Sequence, residues 1–152
     1  MTEGKKEAPR ALEHSLPIAL LRAREAVMAR FRPLLAERGF TEQQWRVLRV
    51  LNEKGALEPT EIAEYSVILT PSMTRILKTL EEREMITRSE HPNDKRRVLV
   101  DITDQARQAI TIAAAQSNAA YAEIENLYGK KKLNELMSLL DELAKTAPQH
   151  SP

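Results

Sequence analysis

The chain has 152 residues, of which 42% are hydrophobic, 30% are charged and 4% are aromatic, and its formal net charge is +1 at pH 7. This length suits one compact domain, or a domain with helical extensions, and is short for two independent cores. The near-neutral charge excludes a polycation that coats nucleic acid regardless of sequence. The lack of cysteine excludes disulfides, thiolate catalysis and cysteine-based zinc or redox sensing.

The ends of the chain are predicted to be flexible tails, at residues 1–10 and 147–152, around a single domain at 11–146. The first seven residues, Met1–Glu7, are polar and contain no signal-peptide core. No uninterrupted apolar run approaches the roughly 20 residues needed to span a bilayer. We therefore expect a cytoplasmic protein with no membrane partner.

Apolar residues at helical spacings predict four helices in the first half of the chain, at Leu16–Glu37, Glu42–Asn52, Pro59–Tyr65 and Pro71–Arg83. Gly39 and Gly55 are predicted to end the first two helices, because glycine adopts the left-handed conformation that follows many helices. The turn Ser66–Leu69 separates the last two. A short helix, a turn and a second helix at this spacing indicate a helix-turn-helix.

The fourth helix carries the residues best suited to contact DNA. Thr70 is predicted to be its N-cap and Pro71 its first helical residue, since the hydroxyl can accept from an orphan backbone N–H and proline lacks that donor. An inward apolar stripe is predicted to comprise Leu69, Met73, Ile76, Leu77 and Leu80. Hydroxyls and cations on the other side suit base edges and phosphates, and the candidates are Thr70, Pro71, Ser72, Thr74, Arg75, Lys78 and Thr79.

Downstream, two segments with strand-like residues, Met85–Glu90 and Val98–Ile102, flank the turn His91–Asp94 and predict a β-hairpin. The cations of the hairpin gather at its tip, and the candidate DNA-contacting residues there are Asp94, Lys95, Arg96 and Arg97. A charge run is usually a solvated loop, but beside the fourth helix it indicates DNA binding. We predict a winged helix-turn-helix lobe at about residues 42–103.

A long helix, Asp104–Tyr128, and a last one, Lys131–Lys145, complete a mainly α fold of the α+β winged helix-turn-helix class, with about six helices and a two-stranded wing. The helices at residues 11–38 and 104–146 have more apolar stripe than the lobe can cover, which predicts a two-fold homodimer. The alternative is a monomer whose terminal helices fold back on its own core. A dimer would set the two copies of the fourth helix roughly 34 Å apart and so predicts a near-palindromic DNA site.

A ligand cavity is suggested by Arg24, a cation among apolar helical neighbours, where burial without an anionic partner is costly. A carboxylate from another helix or a bound aromatic acid could meet it, whereas Glu25 is predicted to point elsewhere. Trp45 could form a wall of this cavity; the alternative is that Trp45 is core and Arg24 a structural ion pair. The candidate ligand-binding residues are His14, Ser15, Arg24, Met28, Trp45 and Arg46.

The sequence predicts no enzyme. Its histidines, His14, His91 and His150, are scattered, and no metal-ligand spacing, phosphate loop or catalytic triad is present. No catalytic residue, metal site or cofactor is therefore predicted.

The run Asp94-Lys95-Arg96-Arg97, followed by a hydrophobic strand and Thr103, resembles the wing signature of the MarR family of winged helix-turn-helix regulators. This resemblance implies that Asp94 orients Arg96 and that Arg96 inserts into the minor groove. One departure is Ala106, where many members carry glycine.

Further blocks resemble the subgroup that regulates homoprotocatechuate degradation operons, and the resemblance covers about residues 15–143. They are Ala19–Ala26, Phe31–Pro33, Thr41–Arg46 and Ile68–Ser72. The resemblance implies a homodimeric repressor of aromatic-acid catabolism, released from its operator by an aromatic ligand. Homoprotocatechuate or 4-hydroxyphenylacetate as the ligand is suggested only by this resemblance. The alternative is a winged-helix DNA-binding or interaction protein with no small-molecule effector.

Overall fold

The computed structural model of the protein describes residues 7–148. A short 3-10 helix, Leu12–His14, precedes α1 (Leu16–Glu37), α2 (Glu42–Lys54), α3 (Pro59–Ser66), α4 (Thr70–Glu82), β1 (Ile86–His91), β2 (Asp94–Ile102), α5 (Asp104–Tyr128) and α6 (Lys130–Ala144). The predicted fold class, six helices with a two-stranded wing, is confirmed. The predicted tails lie partly outside the described residues, at 1–6 and 149–152.

The helix-turn-helix and the wing share one core. α2 begins with a capping box, in which the Thr41 hydroxyl accepts from the Gln44 backbone N–H while the Gln44 side chain accepts from the Thr41 N–H. The apolar faces of α2, α3 and α4 then meet the wing, and the largest fully buried side chains are Val47, Leu48, Leu51, Ile62, Met73, Leu77, Leu80, Ile86 and Val100. This packing holds α4 with one face fixed inward.

The wing is an antiparallel pair in which Ile86 lies opposite Ile102, with an irregularity after Glu90. The predicted start of the second strand at Val98 was wrong, because β2 already begins at Asp94. The reason is that backbone pairing in a solvated ribbon does not need apolar side chains, so periodicity gave no signal there. The four charged residues at the tip therefore occupy strand positions rather than a turn.

The start of α4 also differs from the prediction. Leu69, not Thr70, is the N-cap, no side chain caps the helix, and Pro71 is the second helical residue. Leu69 does not belong to the inward stripe either, because its exposure is 79%. The left-handed Val67 (φ 54°) redirects the chain, so that Ile68 enters the core in place of Leu69.

The terminal helices leave much apolar surface uncovered in the single chain. α1 packs on α5, where the rings of Phe31 and Tyr121 lie 5.0 Å apart, whereas α6 has no buried residue. Exposed apolar side chains of the terminal helices include Leu16, Leu20, Leu21, Ile112, Leu127, Met137, Leu139, Leu140 and Leu143. Within residues 7–148, no helix has the length and hydropathy required to cross a membrane.

Candidate nucleic-acid interface and effector cavity

The outer face of α4 consists of polar and basic side chains that project from a buried helix. Its exposed predicted residues are Thr70, Pro71, Ser72, Thr74, Arg75 and Lys78. Thr79 is half-buried and its hydroxyl donates to the Arg75 carbonyl at 3.1 Å. Neither Arg75 nor Lys78 forms an ion pair with another residue in the described part of the chain. Their charges are therefore available to an external anion such as a phosphate.

At the wing tip, one carboxylate holds an arginine that otherwise extends into solvent. Asp94 Oδ1 accepts from the Arg96 backbone N–H at 3.0 Å and from its Nε at 3.2 Å. These bonds, the backbone one first, hold the pKa of Asp94 below its usual value. The Arg96 side chain is nevertheless 92% exposed, so its remaining donors are free. Lys95 beside it is exposed as well.

Arg97, which the sequence grouped with the DNA-contacting residues, is engaged inside the chain. Its Nε and Nη2 donate to the two oxygens of Glu58, at 2.5 and 2.9 Å. The hydrogen bonds from Arg97 lower the pKa of Glu58. This bidentate pair joins the wing to the start of α3, a role for which the sequence contains no signal.

A cavity of about 390 Å³ lies between α1, α2, the end of α3 and α5. Its aromatic lining residues are Phe31, Trp45, Tyr65 and Tyr121, and its charged ones are Arg24, Glu42, Arg46, Arg49 and Glu53. The cavity thus brings together four of the six predicted ligand residues, Arg24, Met28, Trp45 and Arg46. His14 and Ser15 are not among the residues that line it in the single chain. Trp45 also packs on Phe40 of the core, with ring centroids 5.4 Å apart.

Arg24 has an anionic partner, as expected for a cation among apolar neighbours, and this partner is an acidic side chain of the same chain. Nη2 of Arg24 donates to Glu42 of α2, and Nη1 lies 3.5 Å from Glu25. The expectation that Glu25 points elsewhere was therefore wrong. Glu25 directly follows Arg24 in α1, but its long side chain contacts both Arg24 and Arg32. Arg32 donates to its two carboxylate oxygens at 2.6 and 2.7 Å.

Glu42 is the centre of this charge network, because it also accepts from Arg32. Burial alone would raise its pKa, but the hydrogen bonds from Arg24 and Arg32 outweigh burial and lower the pKa. Glu42 was missed from the sequence, since its partners lie 18 and 10 residues away along the chain. Arg49, Glu53 and the remaining lining residues were missed for the same reason: tertiary packing alone brings them together.

Arg46 lines the cavity and forms no ion pair with an acidic residue in the described part of the chain. It is half-buried, and its Nη1 donates to the backbone carbonyls of Ser66 and Val67 at 3.0 and 3.4 Å. Its Nε is buried and has no hydrogen-bond partner in the described chain. Burial and, next, the charge of Arg24 lower the pKa of Arg46. An anion in the cavity would offset the repulsion between Arg24 and Arg46.

Over residues 7–148, no three His, Asp or Glu side chains are grouped so that they could hold a metal ion.

The fold and its basic outer surface define a winged helix-turn-helix protein. The sequence model of the MarR family matches residues 40–98. The HTH-type transcriptional regulator FarR of Neisseria gonorrhoeae is 39% identical over 86% of this chain and 90% of its own length. The homoprotocatechuate degradative operon repressor of Escherichia coli is 37% identical over 86% and 88%. The chain belongs to the MarR family and is a transcriptional regulator, not an enzyme.

A solved structure extends the likeness to nearly the whole chain. NadR in complex with 4-hydroxyphenylacetate matches with a TM-score of 0.79 and 36% identity, over 93% of this chain and 100% of that one. The predicted resemblance to MarR regulators, with the homoprotocatechuate subgroup among them, is thereby confirmed. The roles of the individual DNA-contacting and ligand-contacting residues stay predictions.

Proposed function

We propose that this regulator is a homodimeric repressor that binds a near-palindromic DNA operator through α4 and the wing, and that a small aromatic carboxylate releases it. The observation that carries the DNA-binding part is the two-sided nature of α4. One side is buried core, and the other presents Ser72, Arg75 and Lys78, whose side chains form no ion pair within residues 7–148. A helix held in this way enters the major groove as a rigid unit.

Each part of this surface has its own task on the duplex. Ser72 and Arg75, near the start of α4, contact base edges, and Lys78 and Lys95 contact phosphates. Arg96, held by Asp94 yet exposed, reaches the minor groove, as the wing of the family implies. We refer to α4 below as the recognition helix.

A second copy of the chain is the partner that fits the uncovered apolar surface of α1, α5 and α6. Monomeric proteins rarely leave such contiguous apolar surface in water, and a two-fold dimer would bury it in one self-complementary interface. The two recognition helices would then reach successive major grooves, which requires the near-palindromic operator.

The cavity supports an aromatic carboxylate as the effector. Its volume of about 390 Å³ falls in the range of small-molecule sites, and it combines aromatic walls with the guanidinium groups of Arg24 and Arg46. The similar protein NadR binds 4-hydroxyphenylacetate, and the similar E. coli protein represses a homoprotocatechuate operon. 4-Hydroxyphenylacetate and homoprotocatechuate both combine a phenol ring with a carboxylate.

A regulator without an effector is the second candidate, and one contact favours it. Arg24 already has Glu42 as its partner within the chain, so its charge does not by itself demand a ligand. Release of DNA by an aromatic acid separates the two candidates.

The test begins with duplexes selected by the unmodified protein from a random-sequence library. A near-palindromic consensus bound by a dimer, and released by 4-hydroxyphenylacetate, is the expected result. The double variant R75A/K78A should lose most of this binding. K130A/K131A, which removes two exposed cations at the start of α6, should keep it. Equal losses in both variants would contradict a specific role for α4.

A further inference from the structure

The turn that leads into the recognition helix is held by an arginine of the cavity. Arg46, on α2, donates from Nη1 to the carbonyls of Ser66 and Val67, which are the last residue of α3 and its C-cap. The final carbonyls of a helix lack partners within the helix and carry its negative dipole end, so a guanidinium there stabilises the helix end. α4 begins three residues after Val67.

The turn is also held by backbone hydrogen bonds and by the burial of Ile68 in the core. Val67 adopts a left-handed conformation (φ 54°), which is uncommon for a β-branched residue. Its N–H donates to Glu64 at 3.2 Å, and the N–H of Ile68 donates to Ala63 at 3.0 Å. The two carbonyls that Arg46 binds thus lie in a short, strained connection that ends where α4 begins.

Arg46 also faces the space that an effector would occupy. Arg46, Ser66 and Val67 all line the cavity. The buried Nε of Arg46 has no partner in the described chain, and no carboxylate pairs with this arginine there. A carboxylate in the cavity would be a stronger acceptor for the guanidinium than the two neutral carbonyls.

We propose that Arg46 is the positioning residue through which an aromatic carboxylate in the cavity acts on the recognition helix. The carboxylate draws the guanidinium away from the Ser66 and Val67 carbonyls, the end of α3 loses its cap, and α4 leaves the geometry that fits the major groove. This inference rests on the proposed function. It adds the physical link between the cavity and the DNA-binding face, in which ligand and operator favour opposite positions of one side chain.

The variant R46Q tests this link, with R38Q as its matched control. Arg38 also has a buried, unpaired Nε and donates to Gln116, but it does not line the cavity. Operator affinity is measured for each protein without and with saturating 4-hydroxyphenylacetate. We expect a release of about 5- to 150-fold in the unmodified protein and in R38Q. Ligand-free R46Q should bind the operator about as weakly as the ligand-saturated unmodified protein, with little further change on adding the acid.

Amide hydrogen exchange provides a readout that does not depend on how well R46Q folds. In the unmodified protein, saturating 4-hydroxyphenylacetate should speed exchange at Val67 and Ile68, whereas α2 and α5 keep their protection.

Three results would overturn the inference while leaving the proposed function intact. They are unchanged exchange at the turn while the acid releases DNA, an R46Q protein with normal ligand-free affinity, and an R46Q protein with weak affinity but the full release ratio. If the unmodified protein shows no release at all, the effector part of the proposed function fails, and the inference fails with it.

Discussion

Arg97 of the wing and Glu58 at the start of α3 form a bidentate ion pair, with N–O distances of 2.5 and 2.9 Å. The pair divides the basic tip of the wing into two parts. Arg97 holds the hairpin against the helix-turn-helix, whereas its neighbour Arg96 remains 92% exposed in its side chain. The wing is thus fixed by one arginine and presents the other.

The two arginines should therefore differ in their effect on DNA binding. R96A is expected to weaken operator binding by about 1–3 kcal/mol and to lower the dependence on salt by about one ion, because a direct DNA contact is lost. R97A should have a smaller effect on affinity and almost none on the salt slope. Fluorescence anisotropy across a salt series measures both. A larger loss of operator affinity in R97A than in R96A would show that Arg97, not Arg96, is the main DNA contact of the wing.

The contribution of the Glu58–Arg97 pair should depend on pH. Arg97 lowers the pKa of Glu58 in the folded state, so the stabilisation is complete above the carboxyl's ordinary pKa and disappears as the pH falls through the lowered one. The variant E58Q should consequently melt below the unmodified protein at neutral pH, and the two melting temperatures should converge as the pH falls through the lowered pKa of Glu58. Thermal unfolding across that range checks this. A difference in melting temperature that widens in acid would contradict the predicted direction of the pH dependence.

Trp45, the only tryptophan, lies in the cavity wall and offers a direct reporter of ligand binding. Titration with 4-hydroxyphenylacetate should change its emission saturably. The uncharged 4-hydroxyphenylacetamide, of nearly the same shape, should bind much more weakly, because Arg24 and Arg46 would lose a charge-assisted partner. Equal binding of acid and amide would show that these cations do not select the ligand.

Arg24 is tested separately by R24A. If Arg24 contacts the ligand, this variant should need more acid for the same change in Trp45 emission. An unchanged titration, with a lower melting temperature, would leave Arg24 only as the structural partner of Glu42.

The dimer prediction concerns the uncovered faces of the terminal helices. L140E on α6 places a charge in the proposed interface, and it should convert a particle of twice the 17.3 kDa chain mass into a monomer. The matched control is V98E, on an exposed apolar residue of the wing, which should leave the mass unchanged. Light scattering coupled to size exclusion measures both. A dimeric L140E protein that still binds the operator would place the interface elsewhere.

Long amphipathic elements were predictable from the sequence, and local geometry was less so. The bounds of α1 and α5 match their predictions, because their apolar periodicity persists over several turns and the glycines that follow end it clearly. The start of β2 was missed because the exposed tip of the hairpin has no apolar alternation. The N-cap of α4 was missed because no sequence pattern predicts the left-handed conformation of Val67.

The site was predictable where the chemistry is local and not where it depends on contacts between helices. Ser72, Arg75 and Arg96 are exposed as expected, because their own helix or strand determines their direction. The partners Glu42 for Arg24 and Glu58 for Arg97 come from elements distant in sequence. For the same reason the contact of Arg46 with the turn before α4 became visible only in three dimensions.

The most direct test of DNA reading by α4 and the wing is competition between the selected operator and a scrambled duplex of the same composition and length. Reading of the DNA sequence by α4 and the wing predicts a dissociation constant of about 10 nM or tighter for the operator at physiological salt, and binding to the scrambled duplex that is about 1,000-fold weaker or more. Equal affinity for the two duplexes would contradict it.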